Sequence, residues 1–162
     1  MSPYVAEFIG TMLLLLLGDG VVANVVLNKT KGENSGWIVI TFGWAMAVFV
    51  GVFCFANISG AHLNPAVTVG LACAGKFELT KVAGYLAAQF AGAAAGAFLV
   101  WLTYRDHFEV TDNADAKLAV FCTGPEIRNP LSNLISEIIG TFVLVYCVLH
   151  ITSPEGGLGS LD

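Results

Sequence analysis

Residues 59–68 read SGAHLNPAVT. They follow an apolar stretch that begins at Trp37, and they set a glycine, a histidine, an Asn-Pro pair and a threonine where a helix would otherwise run on. Asn64-Pro65 is a strong helix start. Asparagine caps the free N–H groups of a first turn, and proline suits the first helical position. The helix it opens runs to about residue 74, which at roughly 1.5 Å per residue is half a membrane thickness. The chain is therefore expected to reach mid-membrane as SGAHL and to return as a half-helix. Irregular backbone at that depth is tolerated only where it is buried in protein or lines a wet cavity. An interfacial turn with a surface helix behind it is the plain alternative that spacing alone allows.

The setting is a membrane. Hydrophobic residues make up 56% of the 162, charged ones 12%, and mean hydropathy is +0.76; soluble domains carry about 25% charged residues. Apolar runs of about 20 residues, enough to cross a bilayer, are expected over 4–27, 37–56, 82–104 and 131–151. The re-entrant loop and half-helix occupy about 57–75. The third run contains QFAGAAAGAFL, in which Gly92 and Gly96 form a GxxxG pattern that permits close helix approach in lipid. The segment 105–130 holds Asp106, Glu109, Asp112, Asp115 and Glu126 and reads as one solvated loop, extracellular or periplasmic. Residues 152–162, TSPEGGLGSLD, follow the fourth span.

With a net charge of −5 the chain has no basic patch to suggest nucleic acid. Cys54, Cys73, Cys122 and Cys147 make no metal-ligand spacing. His62, His107 and His150 are spread apart, with no nucleophile–base pair, so neither enzyme chemistry nor a cofactor is expected. MSPYVAEF lacks the basic start of a signal peptide, so the first run reads as a retained span. Lys76 and Lys81 in the loop after the half-helix favour a cytoplasmic N-terminus, although Lys29 and Lys31 nearly balance the count.

Residues 6–15, AEFIGTMLLL, return at 136–145 as SEIIGTFVLV, with Glu7 matched by Glu137 at an offset of 130. Internal repeats with half-helices at the midplane are a transporter and channel architecture. The same offset carries Asn64 to roughly position 194, past Asp162. The expectation is one full repeat, the first span of a second, and a fragment of a longer protein.

Each part of the interruption then has a use. The carbonyls of Gly60, Ala61 and His62 cannot join a helix and are free to face a pore. The Asn64 amide offers donors beside them. The half-helix N-terminus brings about half a positive charge, which discourages cations and protons at a narrow point and leaves neutral solutes unpenalised.

SGAHLNPAVTVG resembles the first NPA box of the major intrinsic proteins, the aquaporins and glycerol facilitators. AEFIGT, QFAGAAAG and the glutamate that begins the fourth span match the same family. The resemblance implies an all-α membrane protein: an aquaporin-like right-handed bundle with inverted repeats, six spans, two half-helices meeting at their asparagines, and a homotetramer with one pore per subunit. Residues 1–104 would be the first aquaporin-type repeat, and 131–162 the first span of the second with a truncated loop. Asn64, Pro65 and Ala66 would form the NPA box, Gly60, Ala61 and His62 would supply pore carbonyls, and Glu7 and Glu137 would be buried acids bracing the re-entrant loops. A carboxylate inside a span is costly unless partnered, and loop N–H groups are suitable partners; ion or proton transport is the other reading of these acids.

Trp44, twenty residues before Asn64, resembles the tryptophan that forms one wall of the selectivity filter in the glycerol-conducting branch, where water-selective members tend to have phenylalanine. An apolar wall suits the CH groups of a polyol; an interfacial tryptophan is the alternative, for which Trp37 is better placed. GDGVVAN (18–24) and the long acidic loop also resemble bacterial glycerol facilitators, although Asp19 has no assigned role. The expected function is a passive channel for glycerol, other small neutral solutes and water in a bacterial plasma (inner) membrane, excluding ions and protons. The second NPA box and the filter arginine would lie beyond Asp162, so this length alone is expected to lack a complete pore. A water-selective channel is the alternative within the class. A proton-coupled transporter using Glu7, Asp19 or Glu137, or a non-conducting structural protein, are the alternatives outside it.

Overall fold

The computed structural model describes residues 1–151; the tail 152–162, expected as a truncated loop, lies outside the described residues. The helices in chain order are α1 (Pro3–Val26), α2 (Trp37–Ser59), α3 (Pro65–Cys73), α4 (Leu79–Thr103), α5 (Arg105–Val110), α6 (Ala114–Ala119) and α7 (Pro130–His150). By length and composition α1, α2, α4 and α7 can each cross a membrane. This is an integral membrane protein.

Three of these helices start in the same way. Ser2, Asn64 and Asn129 each stand before a proline, and each side chain accepts a first-turn N–H, from Val5, Ala66 and Ser132. The cap satisfies a donor that helix geometry leaves free, and proline removes another.

α1 lies between α2 and α4. In lipid there is no water to drive apolar faces together, so small residues at the crossings set the contacts. Gly92 and Gly96 of α4 lie against the α1 backbone. A Cβ on Gly92 would collide with the Phe8 carbonyl, and one on Gly96 would come within 2.5 Å of the Met12 carbonyl oxygen. Across the other face, Val21 of α1 sits over Gly43 of α2. Large apolar side chains such as Phe42, Phe49, Phe53, Phe90 and Phe98 point outward, as lipid-facing surface should.

α7 stands apart. It packs on α3, where Val145 lies over Gly70, and the Lys76 amine donates to the Leu149 carbonyl in its last turn (3.0 Å). The 105–130 segment departs from the single solvated loop expected. Its acidic residues do face outward, but Thr111 and Val120 are buried. Val120 joins Ala23, Leu27 and Val100 in an apolar cluster. The Asn28 N–H donates to Thr111 Oγ1 (2.9 Å), and His107 Nδ1 donates to the Asn28 carbonyl (3.0 Å). The segment thus folds back as α5 and α6 over the end of α1.

Gly92→Ala is expected to destabilise the bundle by roughly 1–3 kcal/mol, because the colliding atom is backbone and cannot turn aside. Gly20→Ala, which meets nothing within 4 Å, should be neutral or stabilise by about 0.5–1 kcal/mol through helix propensity. Thermal unfolding in detergent measures both.

Candidate functional site

At Ser59 the α2 helix stops and the backbone reverses. Gly60 takes φ +83° and closes the helix, its N–H bonding the Ala56 carbonyl. Ala61 and Leu63 then take φ +47° and +50°. For residues with a Cβ the left-handed region costs about 1–2 kcal/mol each, so something outside the loop must hold them there.

The hold is Glu7 of α1. Alternating backbone conformations turn successive N–H groups toward one side. His62 N donates to Glu7 Oε1 (2.9 Å) and Leu63 N to Glu7 Oε2 (2.8 Å), while Ala61 N donates to Ser59 Oγ (3.0 Å). Ser59 Oγ itself donates to Glu7 Oε1 (2.7 Å), and Gln89 Nε2 of α4 donates to Glu7 Oε2 (2.8 Å). Each carboxylate oxygen therefore accepts two donors, which fills its capacity. Glu7 is fully buried; four hydrogen bonds are what make an anion tolerable there.

Further contacts lock the loop from its flanks. The Leu63 side chain fills a socket made by two glycines: a Cβ on Gly10 or Gly51 would come within 2.5 Å or 2.6 Å of its methyl carbons. Gln89 Nε2 also donates to Thr68 Oγ1 of α3 (2.9 Å), and the same oxygen shares a hydrogen bond with His62 Nδ1 (3.1 Å). The His62 ring lies edge-on to Phe77 and tilted against Tyr85. Tyr85 Oη donates to the Ser59 carbonyl (2.8 Å).

What remains unpaired is as informative. Among the described residues the carbonyls of Gly60, Ala61 and His62 accept no hydrogen bond. Asn64 spends its Oδ1 on the Ala66 N–H (2.8 Å) at the tip of α3, and its Nδ2 has no partner there. Three acceptors and one amide donor thus sit together beside a helix N-terminus, on backbone fixed by a buried anion.

Trp44 and Glu137 lie elsewhere. Trp44 falls on the α2 stripe of Ile40, Ala47, Gly51, Phe55 and Ser59, which are the buried residues of that helix. Its ring rests on Gly18 of α1. Glu137 is exposed on α7, without a hydrogen-bond partner among the described residues. It lines a groove of about 540 Å³ with Ile138, Thr141, Phe142, Val145, Tyr146 and Leu149. Sequence reasoning missed Ser59, Leu63, Thr68, Tyr85 and Gln89. The signals available were an amide within a span, which needs a partner, and Gly10 and Gly51, which mark a close approach.

The sequence profile described as major intrinsic protein matches residues 1–160. The chain belongs to the major intrinsic protein family. As a major intrinsic protein it is 62% identical over 151 residues to the probable glycerol uptake facilitator protein of Thermotoga maritima, covering 93% of this chain and 64% of that relative. It is 52% identical over 162 residues to the glycerol uptake facilitator protein of Streptococcus pneumoniae, covering 99% of this chain and 69% of the relative. The chain thus spans about two thirds of the length of these proteins. The X-ray structure of the aquaglyceroporin from Plasmodium falciparum superposes with a TM-score of 0.61 at 40% identity, covering 65% of this chain and 43% of the other.

Glu7→Gln puts an amide donor where the carboxylate accepts, so at least one loop N–H or the Gln89 amide loses its partner. Charge-assisted bonds contribute about 1.5–3 kcal/mol each; the variant should be destabilised by about 3 kcal/mol or more. Thermal unfolding in detergent beside a lipid-facing control, Phe90→Leu, checks this.

Proposed function

We propose that this chain forms the first-repeat part of a passive channel for glycerol, other small neutral solutes and water. The observation that carries the reading is the loop's hydrogen-bond imbalance. All three N–H groups of residues 61–63 are taken, by Glu7 and Ser59. The carbonyls of Gly60, Ala61 and His62 and the Asn64 amide are left to a solute. A row of acceptors followed by a donor suits hydroxyl groups moving in file. The N-terminus of α3, with about half a positive charge, repels cations at the same point. The names of the two bacterial relatives support glycerol as the permeant over water alone.

In this reading Asn64, with Pro65 and Ala66, is the central donor, and Trp44 is the apolar wall of the filter. Glu7 braces the re-entrant loop, its two oxygens taken up by four donors from α2, the loop and α4. Glu137 would brace the corresponding loop of a second repeat. The assembly would be a homotetramer embedded in the lipid of a bacterial plasma membrane with its N-terminus in the cytoplasm. The apolar outer faces of α2 and α4 are compatible with lipid and neighbouring subunits alike.

The test is reswelling of liposomes in a glycerol gradient, with the chain alone and with the chain extended by the C-terminal third of the Thermotoga maritima relative. The extended form should reswell well above empty liposomes, with no dependence on a proton gradient. Asn64→Asp should cut the glycerol rate at least tenfold, and Trp44→Phe should lower the glycerol-to-water ratio several-fold. Flux that needs a proton gradient, or that ignores Asn64, contradicts the channel reading.

A further inference from the structure

The α1–α2 crossing near Trp44 is built on one missing side chain. A Cβ on Gly18 would lie 2.5 Å from Cε3 and Cζ3 of Trp44 and 2.7 Å from its Cδ2. All three atoms belong to the six-membered ring, so that ring rests on the bare backbone of α1. Carbon–carbon contacts settle near 3.5–4.0 Å, so any β-carbon at position 18 must drive the ring away by about 1 Å. The indole is also packed against the apolar cluster of Val22, Val25 and Ile40. It remains only half-buried, and the way left open is off α1, toward its uncovered side.

Neighbouring glycines do not share this property. Gly20, two residues on, meets nothing within 4 Å, and Gly43 receives the aliphatic Val21. The first glycine of GDG thus has a specific contact, and it is with the side chain read above as the filter wall.

We propose that Gly18 is a specificity-setting residue: by carrying no side chain it seats the Trp44 ring on α1 and fixes how far the indole projects into the solute path. The proposal rests on Trp44 as filter wall. A ring advanced by about 1 Å narrows the path for a polyol more than for water, because a carbon chain is wider than a single oxygen.

Two measurements test it. In a background where Trp37→Phe and Trp101→Phe leave Trp44 as the one remaining indole of three, acrylamide quenching in liposomes reports how far the ring is uncovered. Gly18→Ala should about double the quenching constant, and Gly20→Ala should leave it unchanged; equal quenching in the two variants overturns the seat. In the conducting form of the reswelling assay, Gly18→Ala should lower the glycerol-to-water ratio about fivefold or more. The double variant with Trp44→Ala should behave as Trp44→Ala alone, since the colliding ring is gone. Glycerol and water slowed in equal proportion by Gly18→Ala would overturn the specificity role. If Trp44→Phe by itself leaves the ratio unchanged, the filter reading fails and takes the specificity role with it, while the quenching result still decides whether Gly18 seats the ring.

Discussion

The Glu7 carboxylate and the four donors that surround it hold the rest of the site in place. α1 supplies the anion, α2 the Ser59 hydroxyl, the loop two backbone N–H groups, and α4 the Gln89 amide. Three membrane spans and the irregular segment thus meet at one charged group with no water-facing surface. Removing any donor leaves a buried charge short of a partner, and removing the charge leaves several buried donors unpaired; both are costly in a low-dielectric interior. The left-handed Ala61 and Leu63 persist because the surroundings over-determine them. Strain of this kind collects where backbone must present itself to something other than backbone.

Close approach is the second constraint, and glycine meets it in three ways. Gly92 and Gly96 let α4 lie on the α1 backbone, Gly10 and Gly51 make the socket for Leu63, and Gly18 makes the bed for Trp44. The approach at Gly92, against Phe8, lies beside the Gln89–Glu7 hydrogen bond. α7 shows the contrast. It carries the same Glu-x-Ile-Gly-Thr pattern in the repeat, yet Glu137 faces outward into an apolar-lined groove, and the helix packs mainly on α3. The same pattern is engaged in one copy and, among the described residues, unpartnered in the other, so the engagement depends on the elements packed around it.

Much of this could be read from the chain. The half-helix was legible because its signals are local: the Asn64 cap, Pro65 and the short apolar run behind them. The GxxxG face of α4 was legible because its period is written in the sequence. Glu7 could be flagged as a charge needing partners, but the partners could not be named. Ser59, Leu63 and Gln89 lie 52, 56 and 82 residues away, and nothing in their own surroundings points to α1. The 105–130 segment misled for a different reason. Its charges lie on outward faces and dominate the composition, while the two buried residues among those that dock it, Thr111 and Val120, are single small side chains in a polar run. Trp44 was noticed for its distance from Asn64, but its seat on Gly18 is a tertiary contact invisible to spacing.

The central claim is that Glu7 holds the N–H groups of the loop inward and so releases its carbonyls. Amide hydrogen exchange at His62 and Leu63 tests it most directly, followed by NMR in detergent micelles with Lys31, an exposed loop residue whose N–H has no partner among the described residues, as the reference. Both amides should be protected at least a hundredfold relative to the reference in the native chain, and should lose most of that protection in Glu7→Ala while the α4 amides keep theirs. Rapid exchange at His62 and Leu63 in the native chain, or protection that survives the loss of Glu7, would contradict it.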